Sequence, residues 1–259
     1  MRPLITLTTD FGTADGFVGA MKGKILTICP DANIVDITHD ITPQKILQTS
    51  WTLLRSTLQF PEGSIHVVVV DPGVGSERQA ILLKSENRWF IGTDNGVFSE
   101  IIRRYGSEQI YEIKKQCKWW QSHTSFDGLA LFAPASAYLA NGISPEEIGN
   151  PISRTLLLLP KSSPTVTRGQ IQGQILFFDR FGNAITNISR DHLQTLTNPN
   201  YRVSCKSLGF LPVKFYQQGK SGSSIAIINS DGLLELSVFC DSAEKRHGLK
   251  AGDEVVVKS

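Results

Sequence analysis

After His66, Val67-Val68-Val69-Val70 form an unbroken β-branched run that ends abruptly in Asp71-Pro72-Gly73. Consecutive valines point to alternate sides of a strand, so a run with no polar side belongs to a strand covered on both faces. That is the signature of a central strand in a parallel sheet layered between helices. The surrounding chain fits. Leu4 to Thr9 reads as a short apolar strand ending at Asp10-Phe11-Gly12. A helix is predicted over Gly16 to Cys29, with Phe17, Val18, Met21, Ile25 and Ile28 on one face and Pro30 stopping it. Ile34 to Ile37 reads as a second strand. Thr42-Pro43 is the expected cap of a helix carrying Ile46, Leu47, Trp51, Leu54 and Leu58. Ala80 to Lys84 and Trp89 to Gly92 are further strands; Gly96 to Tyr105 and Phe132 to Leu139 are further helices.

The texture changes at Pro160-Lys161-Ser162-Ser163-Pro164, which reads as a linker. Beyond it helical periodicity is lost. Gly173 to Phe178, Val213 to Tyr216, Ser224 to Asn229, Leu233 to Val238 and Glu254 to Val257 are short strand patterns separated by Gly, Asn, Asp and Ser turns. The expectation is an α/β domain with a mainly parallel sheet over residues 1–160 and a small antiparallel sheet or barrel over 165–259.

Composition narrows the class. The 259 residues are 41% hydrophobic and 19% charged, which excludes a disordered chain. Lys and Arg number 26 against 24 Asp and Glu, without blocks of like charge, so no nucleic-acid partner is expected. No apolar run approaches a membrane span. The first residues lead directly into a strand pattern, so no signal peptide and a cytoplasmic location are expected. Cys29, Cys117, Cys205 and Cys240 are widely spaced and read as reduced thiols with no zinc site.

In open α/β sheets, ligands bind beyond the carboxyl ends of the parallel strands. Three such ends are acidic here: Thr8-Thr9-Asp10 with Asp15 following, Asp71-Pro72-Gly73-Val74-Gly75 with Arg78 beyond, and Thr93-Asp94-Asn95-Gly96. Together they imply one polar, anionic crevice, although each Asp is also a good helix or turn cap. Gly73-Val74-Gly75-Ser76-Glu77-Arg78 lacks the third glycine and the Lys-Ser/Thr of a phosphate loop. Asp36, His39 and Asp40 are not at helical ligand spacing and read as turn-capping groups rather than a metal site. No Gly-x-Ser-x-Gly marks a serine nucleophile.

Several segments taken together carry a family resemblance. They are Thr8-Thr9-Asp10-Phe11-Gly12, Gly16-Phe17-Val18-Gly19 with Met21-Lys22-Gly23, Ile34-Val35-Asp36-Ile37-Thr38-His39, and Val70-Asp71-Pro72-Gly73-Val74-Gly75. Gly92-Thr93-Asp94-Asn95-Gly96, Asp179-Arg180-Phe181-Gly182-Asn183 with Thr186-Asn187-Ile188, and Asn229-Ser230-Asp231-Gly232 with Leu234-Glu235-Leu236 continue it. In this set and order the chain resembles the S-adenosyl-L-methionine (SAM) hydroxide adenosyltransferases, relatives of the fluorinating and chlorinating adenosyl transferases. The resemblance implies an N-terminal α/β domain, a C-terminal β-barrel, and a homotrimer with its sites at subunit interfaces. It implies cleavage of SAM, as substrate rather than cofactor, at the ribose C5′ by water, giving adenosine and methionine.

The family's catalytic trio is Asp, Arg and His. Asp71 and Arg78 match the first two. The third lies in a Phe-His-Gly-Arg-Asp segment that here reads Phe126-Asp127-Gly128-Leu129-Ala130, so Asp127 stands in the histidine position. By position, Asp10 and Asp15 match residues near the ribose, and Asp179 and Ser230 match groups that hold the methionine amine and carboxylate. Asn183 matches an adenine contact, Phe181 lies against the base, and Phe126 belongs to the site segment. Glu235 falls in the C-terminal motif without an assigned role. Asp127 would either pair with Arg78 and cancel its charge, or sit near Asp71 so that one carboxyl pKa rises and provides a base. His123 is four residues from Asp127, ~13 Å along an extended chain, too far to substitute for it without a bend. The alternatives to hydrolysis are a non-catalytic adenosine- or SAM-binding protein and a SAM-dependent halogenase.

Overall fold

The computed structural model describes residues 2–114, 125–196, 198 and 200–259; His123 and Cys117 lie outside them. The chain divides into two compact units, Met1–Leu159 and Pro160–Ser259.

The first unit runs β1 (Leu4–Thr9), α1 (Phe17–Ile28), β2 (Asn33–Thr38), α2 (Ile46–Ser56), β3 (Ile65–Val69), β4 (Ala80–Ser85), β5 (Arg88–Thr93), α3 (Ser99–Tyr105), β6 (Gln109–Ile113), α4 (Ala133–Ala140), α5 (Pro145–Ile148) and β7 (Gly149–Pro151). Its seven strands lie in the order β2-β1-β3-β5-β4-β6-β7. The valine strand β3 is central, with parallel partners on both sides, β1 and β5. β2 also joins in parallel. Beyond β5 the pairings through β4, β6 and β7 are antiparallel, so the sheet is mixed.

The valine run decides the layering. Val67 and Val69 join a core with Val18, Met21 and Ile25 of α1 and Ala133 and Ala137 of α4. Val68 faces the other core, with Leu53 of α2 and Phe98 and Ile101. Burying each valine side chain fully stabilises the fold by roughly 1.5–3 kcal/mol before chain entropy is subtracted.

Three predicted helix starts shift. The helix expected from Thr42 begins at Ile46, because Gln44 takes a left-handed φ of 65° and Lys45 N–H closes a turn on the Thr42 carbonyl. The helix expected from Gly96 begins at Ser99, since Gly96 has φ 95° and the Asn95 side chain accepts from Val97 N–H. The helix expected from Phe132 is preceded by a π-helical turn over Gly128–Phe132.

The second unit runs β8 (Thr165–Thr167), β9 (Gln170–Phe178), β10 (Ala184–Ser189), α6 (Arg190–Gln194), β11 (Arg202–Cys205), β12 (Leu208–Pro212), β13 (Ser224–Ile228), β14 (Leu233–Val238), α7 (Ala243–His247) and β15 (Glu254–Lys258). The order β10-β14-β13-β12-β11-β15-β9 closes through β9–β10 into a seven-stranded barrel, with β8 appended to β9. All its pairings are antiparallel except β12–β13.

Two short helices interrupt a region where none was expected. Each has five residues, too few to show periodicity, and each starts at a serine whose Oγ accepts from the third residue on: Ser189 from His192 N–H and Ser242 from Lys245 N–H. The strand expected over Val213 to Tyr216 is a turn. The Gln218 side chain accepts from Lys214 and Phe215 N–H and takes them out of any ladder. Among the described residues no helix is long and apolar enough to cross a membrane.

Candidate active site and family

Beyond the carboxyl end of β3 the chain turns through Pro72–Glu77 and returns at Arg78. Asp71 starts that turn: its Oδ1 accepts from Gly73 N–H at 2.9 Å. Ser76 tightens it through N–H and Oγ bonds to the Gly73 carbonyl. The Gly-Val-Gly segment is therefore a loop that aims a side chain, Arg78, back at the strand end. Arg78 Nε donates to Asp71 Oδ2 at 2.7 Å, and Nη2 lies 2.6 Å from the same oxygen. Thr93, the last residue of β5, donates its hydroxyl to that oxygen at 2.9 Å.

Asp127 reaches the cluster from a third direction, accepting from Arg78 Nη2 through Oδ2 at 2.6 Å. The three side chains are largely buried, 2% exposed for Asp71, 11% for Arg78 and 18% for Asp127. Burial alone would lower the Arg78 pKa, but the hydrogen bonds and charges of Asp71 and Asp127 outweigh it and hold it above its ordinary value. The cluster carries one positive and two negative charges.

Asp127 is held by its neighbours. Phe126 forms an aromatic triangle with Phe11 and Phe17, at centroid distances of 5.4 and 5.1 Å. A side chain at Gly128 would stand 2.6 Å from the Phe126 ring and 3.1 Å from Met21 Sδ, so only glycine lets the π turn approach α1 this closely. Ala130, where the family pattern carries an acid, is buried in the core.

The other β1-end residues differ in environment. Asp10 accepts from Gln44 N–H at 2.8 Å through Oδ2, while Asp15 is exposed between β1 and α1. Asp94 departs from the expected anionic crevice. Arg154 Nη2 pairs with it at 2.6 Å and Leu157 N–H bonds it at 2.8 Å, so it staples residues 154–157 to the end of β5. Asp36 pairs with Lys22 and His39. Among the described residues no group of His, Cys, Asp and Glu is arranged to hold a metal ion.

The predicted residues of the second unit sit on two hairpins. Between β9 and β10, Asp179 Oδ1 accepts from Phe181 and Asn183 N–H, both at 2.9 Å, and its Oδ2 accepts from the Asn183 side chain at 3.0 Å. That turn presents the Phe181 ring to solvent at 77% exposure. Between β13 and β14, Asn229 Oδ1 accepts from Asp231 and Leu233 N–H, leaving Ser230 exposed at the tip. Glu235 is buried in β14, where its Oε1 accepts from Tyr216 Oη at 2.6 Å and Ser237 Oγ at 2.7 Å.

Sequence reasoning missed Thr93 and Tyr216. Thr93 was legible as the residue before Asp94; Tyr216 carried no signal, because its partner is 19 residues away across the barrel.

A sheet whose parallel strand ends gather an arginine between two carboxylates, on a chain that continues into a closed barrel, defines a two-domain α/β-plus-barrel enzyme class. Comparison with known proteins makes the class specific. Residues 5–149 match the SAM hydroxide adenosyltransferase N-terminal domain, and residues 173–256 match the corresponding C-terminal domain. The chain belongs to the SAM hydroxide adenosyltransferase family. It is 34% identical to an (R)-S-adenosyl-L-methionine hydrolase of Methanocaldococcus jannaschii, across 98% of this chain and 95% of that one. It is 26% identical to a fluorinase of Nocardia brasiliensis, across 99% and 97%. An uncharacterized conserved protein from Thermotoga maritima has the same fold, with a TM-score of 0.88 and 32% identity over 99% of this chain and 100% of that one.

Proposed function

We propose that this protein hydrolyses S-adenosyl-L-methionine at the ribose C5′ with water, giving adenosine and L-methionine, and that Asp127 works where the family pattern has histidine. The observation that carries this reading is the arginine shared by two carboxylates. The water oxygen forms a bond to C5′ as the C5′–S bond breaks, its electron pair leaving with sulfur as the neutral thioether of methionine. One water proton stays on the new 5′-hydroxyl and the other must go to a base.

The two carboxylates divide the work. Asp71 has both oxygens committed, to Gly73 N–H, Arg78 and Thr93. It orients the guanidinium. Asp127 commits only Oδ2, and among the described residues no hydrogen bond is made to its Oδ1. That oxygen has lone pairs for the proton. Arg78 favours the developing hydroxide character of the water. The net negative cluster attracts the sulfonium and repels a halide ion, which favours water over chloride or fluoride as nucleophile.

The relatives are named for the (R) form of the substrate, so both sulfonium epimers belong in the assay. Purified protein incubated with each epimer, with and without chloride, is expected to release equal adenosine and methionine and no 5′-chloro product. Asp127→Asn is expected to lower kcat by about 100-fold as the proton acceptor is lost. Tight binding without release of adenosine from either epimer would overturn the proposal in favour of a binding protein. The homotrimer with sites at subunit interfaces is part of the same proposal, and sedimentation equilibrium tests the trimer.

A further inference from the structure

The turn that carries Asp10 is bound to the β2–α2 segment at two points beyond the Asp10 carboxylate, through Thr9 and Gly12. Gly12 N–H donates to the His39 carbonyl at 2.8 Å, and Thr9 Oγ1 meets His39 Nδ1 at 2.9 Å. Phe11 N–H donates to Thr9 Oγ1 at 3.3 Å. The other ring nitrogen, Nε2, lies 3.1 Å from Asp36 Oδ1, and Asp36 Oδ2 is 2.6 Å from Lys22 Nζ on α1.

These contacts depend on an irregularity. β1 pairs Leu7 with Asp36 but Thr8 with Thr38, so Ile37 is an extra residue. In a regular strand, residues 36 and 39 would face opposite sides. The bulge turns them toward each other. Thr9 Oγ1 and Nδ1 share a hydrogen bond on one side of the ring, and on the other Nε2 lies at ion-pair distance from Asp36 Oδ1 without hydrogen-bond geometry. His39 is only 6% exposed and touches none of the Asp71 cluster in any described contact. Thr42 to Lys45 then turns with Gln44 in the left-handed region, which delivers its N–H to Asp10 Oδ2.

We infer that His39 is a positioning residue for ligand binding: through Thr9 it fixes the turn that carries Asp10, so that one carboxylate oxygen is held by Gln44 and the other is presented to the vicinal hydroxyls of the substrate ribose. The inference rests on the reading of Asp10 as a ribose-binding group. A carboxylate bound on one oxygen in a fixed turn meets a diol without first being ordered, which saves conformational entropy on binding.

The test is calorimetric binding of adenosine and of 2′,3′-dideoxyadenosine to the full chain. The wild type is expected to prefer adenosine, and Asp10→Asn to lose that preference. His39→Ala and Thr9→Val, the latter replacing the hydroxyl by a methyl, are each expected to weaken adenosine binding by about tenfold, the scale of one charge-assisted hydrogen bond, and to leave dideoxyadenosine binding unchanged. His39→Asn, whose amide reaches the Nδ1 position, should recover most of the loss. The double variant His39→Ala/Asp10→Asn should bind no worse than Asp10→Asn. A merely structural role for His39 would weaken both nucleosides alike, and that result overturns the proposal. An intact preference in Thr9→Val beside a lost one in Asp10→Asn also overturns it, while the Asp10 reading survives. An intact preference in Asp10→Asn overturns the Asp10 reading and the proposal with it.

Discussion

Arg78 Nη2 stands between Asp71 and Asp127, 2.6 Å from an oxygen of each, while Nε adds a second bond to Asp71 at 2.7 Å. The two acids sit 56 residues apart in sequence, and the guanidinium bridges them. Their mutual repulsion is balanced by one cation that burial does not neutralise.

Replacing that cation by a point charge is expected to break the bridge. Lysine keeps the charge but not the fork that lets Nε and Nη2 bond at once. Arg78→Lys should lower kcat by roughly 100-fold with a smaller change in KM, as for loss of one preorganised donor. Arg78→Ala leaves two uncompensated carboxylates and should cost on the order of 3 kcal/mol of stability in urea unfolding.

His66 gives the fold an acid-sensitive limb. It is fully buried in β3, bonded to Thr6 through Nδ1, and burial, with a further push from Arg88, lowers its pKa from 6.5 to about 3. The unfolded chain binds the proton more readily than the folded one. The stability contributed is therefore complete above pH 6.5 and is lost as pH falls toward 3. Urea unfolding at pH 7.5 and 4.5 should show a loss in wild type that exceeds the loss in His66→Gln by about 2–3 kcal/mol. Equal losses in the two proteins would contradict it.

Gly182 sets the Asp179–Asn183 turn. It has φ 79°, and a Cβ there would collide with Ser242 Oγ and stand 2.8 Å from its Cβ. Gly182→Ala must move α7 or open the turn. The expected loss is roughly 2–4 kcal/mol, with weaker adenosine binding as Asn183 is displaced. A thermal melt and a titration read the two effects separately.

Tyr216 and Glu235 stabilise the barrel as a pair. Burial raises the Tyr216 pKa well above its ordinary value, and the Glu235 carboxylate adds to the rise. The phenol thus stays a donor throughout the range in which proteins are handled. Tyr216→Phe leaves Glu235 buried with Ser237 as its remaining close donor and should cost about 1–3 kcal/mol. Restoring the hydroxyl alone, in the reverse substitution, should recover it.

The architecture was legible wherever a pattern repeated. The valine run identified the central strand, and the Pro160 segment marked where α/β texture gives way to strands. Short elements were not legible. α6 and α7 are each a single capped turn, and β7 and β8 have three residues. Asp71, Arg78 and Asp127 were named together from the sequence with two arrangements open for Asp127, and the structure has Asp127 paired with Arg78. Asp94 was read as part of the crevice because its partner, Arg154, lies 60 residues on.

By itself the amino-acid sequence determined which segments are strands covered on both faces, where acidic residues follow those strands, and which family the order of motifs resembles. These are local properties, carried by side-chain periodicity and by turn residues. Only the tertiary structure decided which acids share Arg78, which are consumed by staples such as Asp94–Arg154, and that His39 meets Thr9 and Gly12 on either side of Asp10. Those relations depend on loop closure across tens of residues and on one bulge in β2. Hydrogen bonds and ion pairs act over a few ångströms in space and leave no period along the chain.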